Sequence, residues 1–166
     1  MVSVFAFRQV LRVMNFRAFS LADDEQFNAM KAWLSAQDAG VYWSDQPPLL
    51  TFIHSVLLGW FGPSLVSLRI VAVGFSVLLC IALFQILKRF YGWFAGLTCI
   101  ALLVLSSDYL MLSVSCLIGL PAYAFAMVAC ACSIRSTYES SVAYALLSGI
   151  FLGLGAMTKM SALLAF

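Results

Sequence analysis

From Gln46 to Thr158 the chain carries only six charged side chains, Arg69, Lys88, Arg89, Asp108, Arg135 and Glu139. A water-soluble fold of that length must clothe its core in polar surface, and the side chains to do so are missing. The other charges crowd to the front: Arg8, Arg12, Arg17, Asp23, Asp24, Glu25, Lys31, Asp38 and Asp45 precede this stretch, and Lys159 follows it. Over all 166 residues 64% are hydrophobic and 10% charged, against about 25% charged in an ordinary soluble domain. Lipid offers no hydrogen-bond partners, so such a chain must satisfy its backbone within helices, and the fold class predicted is an all-α polytopic membrane protein. Membrane lipid is then one partner. Nucleic acid is excluded, because a net charge of +2 with no dense basic stripe cannot neutralise a phosphate backbone.

Crossing about 30 Å of hydrocarbon takes about 20 residues. Four stretches of suitable length are predicted to span: Leu65 to Leu87, Phe90 to Leu110, Val114 to Ile134 and Val142 to Lys159. A fifth apolar run, "PPLLTFIHSVLLGWFGPS", is too short between its prolines and reads as an interfacial or re-entrant helix. Pro47 and Pro48 suit its start and Gly62-Pro63 its stop. Lys88 and Arg89 occupy the shortest loop and Arg135 the second loop beyond, while the intervening "SSDYLMLS" has no basic residue. Positive-inside then puts these three within and residues 23–64 on the outer side, periplasmic, extracellular or lumenal; the bacterial inner (cell) membrane is the expected location.

The five cysteines, Cys80, Cys99, Cys116, Cys130 and Cys132, all sit in apolar runs, where a thiol behaves as a small hydrophobe. With His54 the one histidine and no CxxC pair, the sequence builds no zinc or iron–sulfur ligand set. Residues 1–22 are interrupted by Arg8, Arg12 and Arg17; they fit a basic amphipathic or disordered lead better than a span or a signal peptide. The closing "KMSALLAF" breaks off in mid-run, which suggests a longer parent. Three regions result: the lead 1–22, an outer loop 23–64, and a helical region 65–166.

The outer loop holds the chemistry-bearing residues. Between Asp24 and Asp38, Phe27, Met30, Trp33 and Leu34 recur on one side and Asp24, Asn28, Lys31, Ser35 and Asp38 on the other, the pattern of an amphipathic membrane-surface helix. Asp23 or Asp24 can cap it, and Asp23 to Gln26 has capping-box spacing. Capping uses one acid, yet "DDE" supplies three that repel one another. A carboxylate near the low-dielectric boundary can serve as a base, or hold a cation or a sugar hydroxyl. Asp45 follows Tyr42 and Trp43, whose faces, like that of Trp60, serve equally as membrane anchors or as platforms for a sugar ring.

These residues resemble the first outer loop of membrane glycosyltransferases that use polyprenyl-phosphate sugars, the dolichyl-phosphate-mannose protein mannosyltransferases and the aminoarabinose lipid A transferases. The likeness runs in order through Asp24-Glu25 with Phe27, Asp45 with Gln46-Pro47-Pro48, Phe61-Gly62, Arg69, "KRFYGWFAGLTCIALL" and "GLGAMTKMSALL", over about residues 20 to 166. It implies a GT-C-like transmembrane helical bundle whose outer loop carries amphipathic surface helices. The implied activity is an inverting glycosyltransferase that moves a sugar from a polyprenyl-phosphate-linked donor to a protein or lipid hydroxyl. Asp24 is then the general base and Asp45 the second carboxylate, positioning the acceptor or steadying charge on the sugar. Arg69 and Lys159 are candidates for the donor phosphate, and Glu25, Tyr42 and Trp43 for substrate contacts. No cofactor is implied; Asp24, Glu25 and Asp45 could hold a divalent metal, though inversion with a phosphate leaving group does not require one.

Three departures stand out. Residues 1–22 do not supply the family's span before "DE", Leu120-Pro121 stands near a later acidic position, and relatives are several times longer. The chain therefore reads as an N-terminal fragment of a transferase, active or inactive. Two other readings stay open: a transporter piece with Asp108, His54 and Arg69 as coupling groups, and a non-catalytic membrane assembly protein.

Overall fold

The computed structural model describes residues 23–38, 46–62 and 64–165. They are all-α: α1 Asp23–Asp38, α2 Leu49–Phe61, α3 Leu65–Leu105, α4 Ser107–Val114, α5 Gly119–Glu139 and α6 Val142–Ala156, then a 3-10 turn at Met160–Ala165. The predictions for residues 1–22 lie outside the described residues.

Two helices, α3 and α5, are long and apolar enough to cross a membrane. Only 17% of the most apolar stretch of α3 is buried, and Val77, Phe94, Leu102 and Leu105 point outward. A helix apolar all round and left uncovered by protein is the reverse of a soluble core helix, and is consistent with membrane association.

The long α3 is two arms. At Gly92 the backbone takes φ 85° and ψ 175°, a combination open essentially to glycine, and the helix breaks there. Beyond the break the chain doubles back. The Phe84 ring meets Trp93 edge-on at 5.1 Å, and a Cβ on Gly96 would stand 2.9 Å from Phe84. In an unbroken helix Phe84 and Gly96 would be about 18 Å apart. The predicted division at Lys88-Arg89 is thus a real reversal, displaced to the residue able to make the bend.

The returning arm stops at Ser106, whose ψ of 128° is extended, and α4 begins as a separate element instead of completing a span to Leu110. The Tyr109 hydroxyl fixes α4 to the first arm of α3: it donates to the Ser76 carbonyl at 2.9 Å and lies 2.6 Å from Ser76 Oγ and 3.0 Å from Cys80 Sγ.

The predicted span Val114 to Ile134 is observed as α5, displaced by five residues at each end. The shift has two causes. The Cys116 amide is engaged by a side chain of α1, described below, so the helix cannot begin there; Pro121 then sits in the first turn, where its missing donor costs nothing. Beyond Arg135 nothing breaks the helix until Ser140, which adopts the left-handed region at φ 48°, ψ 37°.

The predicted span Val142 to Lys159 is shorter than expected. As α6 it ends at Ala156, where Thr158 and Lys159 amides turn back to the Gly155 carbonyl and Met157 O accepts from Leu49 N at 3.1 Å. Small residues bring α5 and α6 together: Gly155 leaves only 3.3 Å between a notional Cβ and both Phe125 and Ala162, and Ser148 Oγ donates to Ala129 O at 2.9 Å. The fifth apolar run keeps its expected bounds. At 13 residues α2 starts after Pro48 and ends at Gly62, whose φ of 75° again requires glycine.

Gly92→Ala should destabilise the fold by about 1–3 kcal/mol through its backbone conformation. Gly74→Ala, in open space within the same helix, should be neutral or slightly stabilising. Thermal melts of both variants in the same detergent check this; equal melting temperatures would contradict the glycine requirement.

Candidate functional site

α1 is inverted relative to a helix lying on water. Phe27 and Met30 are 46% and 54% exposed, whereas Glu25 is 2% and Asn28 and Lys31 each 8% exposed. The apolar face looks outward, as a membrane-surface helix requires, but the polar face is not solvated. It packs on the rest of the chain, with Ala32 against Leu58, Leu68 and Cys116. The two faces follow the sequence pattern, and what each one meets is decided by a partner 44 residues away.

That partner is Arg69, in the second turn of α3. Its Nη2 donates to Glu25 Oε2 at 3.2 Å, and both side chains are buried. The other carboxylate oxygen, Oε1, accepts the Cys116 amide at 2.6 Å. Asn28 Nδ2 donates to the Cys116 carbonyl at 3.4 Å, so α1 takes up both backbone groups of that loop residue. His54 of α2 completes the cluster, with its ring nitrogens 3.6 and 3.7 Å from Cys116 Sγ. One point thus ties together α1, α2, α3 and the loop between α4 and α5.

The electrostatics make Cys116 and His54 inert. Burial lowers His54 to about 4, partly offset by a hydrogen bond to the Leu68 backbone. Burial also pushes the Cys116 thiol up to about 12, assisted by the Glu25 charge and opposed by Arg69. Near neutral pH both are uncharged. They form a thiol–imidazole contact and lack the thiolate–imidazolium character of a nucleophile.

Next to this cluster lies an open groove of about 270 Å³, lined by Asn28, Lys31, Gln46 and Lys159 on its polar side and by Phe27, Leu112, Leu117 and Ile118 on its apolar side. Lys31 and Lys159, from opposite ends of the chain, both line it. Such a mixture can hold an anionic group beside an apolar tail. Lys31 also lies over the Phe27 ring, 3.9 Å from its centroid.

Of the predicted site residues, the structure brings together Glu25 and Arg69 as a buried pair and places Lys159 in the groove. Asp45, Tyr42 and Trp43 lie outside the described residues, as does the Asp24 side chain, although its backbone belongs to the first turn of α1. Sequence reasoning missed Lys31 and Asn28, taken as the polar face of a surface helix; their shared register with Asp24 was the available signal. Among the described residues no group of three or more His, Cys, Asp or Glu side chains converges as a metal site.

Two outcomes follow from the cluster. Glu25→Gln should cost about 3–5 kcal/mol by removing the carboxylate charge that faces the buried Arg69, and the double variant Glu25→Gln/Arg69→Met should recover much of that loss; chemical denaturation of the three proteins measures it. For His54 the folded value lies below the unfolded 6.5, so the unfolded chain binds more protons between about pH 6.5 and 4. Stability is therefore lost as pH falls through that window, by up to about 3 kcal/mol. Melting temperatures across the window should fall less steeply in His54→Asn than in the unaltered protein.

A family model described as dolichyl-phosphate-mannose-protein mannosyltransferase matches residues 45–166. No curated protein and no solved structure gives a significant match. The matched segment includes Arg69, Cys116 and Lys159 and starts after α1, so Asp24, Glu25 and Lys31 contact or precede it from outside. With the match covering most of its length, the chain belongs to the dolichyl-phosphate-mannose-protein mannosyltransferase family.

Proposed function

We propose that this chain is the donor-binding and base-bearing portion of an inverting glycosyltransferase in a multi-pass, GT-C-like bundle. It takes a sugar from a polyprenyl-phosphate-linked donor and transfers it to a protein or lipid hydroxyl, with residues 23–64 on the outer face of a bacterial inner membrane. The observation that carries this reading is the groove in which Lys31 and Lys159 converge beside apolar wall residues, in a member of a family named for a lipid-phosphate sugar donor.

In this reading the two lysines receive the lipid phosphate as it leaves, and the apolar wall takes the first isoprene units. Arg69, whose charge is taken up by Glu25, acts as frame instead of phosphate ligand. Asp24 stands four residues before Asn28 and seven before Lys31, the same register face of α1. It accepts the proton of the acceptor hydroxyl while that oxygen bonds to the anomeric carbon and the bond from that carbon to the phosphate oxygen breaks on the opposite side. Inversion follows from this single displacement. Asp45 positions the acceptor or steadies positive charge on the sugar, and Tyr42 and Trp43 offer faces to the ring.

Transfer from a polyprenyl-phosphate sugar to a hydroxyl acceptor, assayed in membranes holding a complete protein with this segment, tests the roles. Asp24→Asn should lower kcat at least about a hundredfold while insertion is unchanged. Lys159→Ala should act mainly on the donor KM. Full turnover in Asp24→Asn would sink the base assignment.

A further inference from the structure

At the other end of the bundle, α3 and α5, with Tyr144 of α6, line a second and larger open groove of about 540 Å³, well within the size range of ligand sites. We infer that it is a binding site for an anionic phospholipid of the inner leaflet, with the headgroup held by Lys88, Arg89 and Arg135 and an acyl chain lying between the two helices. The site is separate from the lysine groove: Arg69 and Lys88 are nineteen residues apart on one arm, about 28 Å at 1.5 Å per residue, close to the thickness of the hydrocarbon layer.

Two facing stripes build it. On α3, Leu78, Ile81 and Gln85 lead at helical spacing to Arg89; on α5, Val128 and Cys132 lead to Arg135. Each stripe runs from apolar to basic, covering about 16 Å on α3, roughly the depth of one leaflet's hydrocarbon. That gradient is complementary to a molecule with an anionic head and an apolar tail, and not to a soluble anion or an uncharged lipid.

The basic residues are held at the mouth. The Arg89 guanidinium lies 4.2 Å from the Tyr138 ring centroid, and Arg135 is 5.5 Å from the Tyr144 centroid with Nη1 3.5 Å from its hydroxyl. Lys88 is 5.0 Å from the Trp93 centroid. These ring contacts orient the cations without neutralising them. Glu139 also lines the mouth, but among the described residues no ion pair joins it to the three bases. Three positive charges against one negative leave a net attraction for an anion, and the sequence placed all three bases on the side where the inner leaflet lies.

The inference rests on the membrane reading under Proposed function but not on the transferase chemistry. The full chain is reconstituted in nanodiscs of phosphatidylcholine containing 20% phosphatidylglycerol, then extracted into mild detergent, and the retained lipids are counted by native mass spectrometry. Phosphatidylglycerol should be retained over phosphatidylcholine on the order of tenfold. The preference should shrink with added salt and fall below about twofold in Arg89→Gln/Arg135→Gln. Gly74→Ala, which touches neither groove, should leave it intact, and inorganic phosphate should not compete. Equal retention of the two lipids, or an unchanged preference in the double variant, overturns the site. Should that variant lose its helical circular dichroism, Lys88→Gln read against Lys88→Arg decides: equal preferences overturn the site, and loss in the glutamine variant alone supports it. A chain that fails to incorporate at all removes the membrane reading and this site together, whereas normal incorporation without preference removes this site alone.

Discussion

Glu25 and Arg69, both shut away from solvent, are the constraint on which the Arg69 end of the molecule depends. A lone guanidinium at that depth is costly, and its attraction to a carboxylate offsets the cost only where the remaining hydrogen-bonding capacity is also satisfied. The Cys116 amide supplies that second contact on the carboxylate. Because the arginine belongs to α3 and the amide to the loop before α5, the helix bearing Glu25 is docked by both. The polar face of α1 is thereby turned inward, and Asn28 and Lys31 are carried to the groove.

The packing around this point explains how a chain with so few charges keeps them ordered. Tyr109 fastens α4 to the first arm of α3, and the Gly92 reversal returns the second arm alongside the first. Basic residues collect at two ends about one hydrocarbon thickness apart, Lys31 and Lys159 at one and Lys88, Arg89 and Arg135 at the other. Between them the helices expose apolar surface. A polar headgroup can be met at either end and an apolar tail along the length, which suits a member of a family named for a lipid-phosphate sugar donor.

Much of this was legible in the sequence because solvent preference is written residue by residue. The paired prolines and Gly62 bounded α2, and the six scattered charges separated the long apolar stretches. Where the chain turns was less legible: Lys88-Arg89 marks the end of the arm, but the bend belongs to Gly92, since only glycine accepts that backbone conformation. What the polar face of α1 packs on was not legible. Periodicity reveals two faces and is silent on the partner of the polar one, and nothing in "DDE" singles out the glutamate that finds Arg69. That choice depends on the rotation of α1 against a helix 44 residues away and an amide 91 residues away. Lys31 was hidden for the same reason: periodicity puts it on the polar face of α1 and does not say what that face meets.

The Lys31–Lys159 groove is proposed above to hold a lipid phosphate. The most direct measurement is equilibrium binding of a short polyprenyl phosphate to the full chain in detergent, with the matching polyprenyl alcohol as control. The phosphate should bind and the alcohol should bind at least about tenfold more weakly, with the difference abolished in Lys31→Ala/Lys159→Ala. Equal binding of phosphate and alcohol, or a phosphate preference unchanged in the double variant, would contradict it.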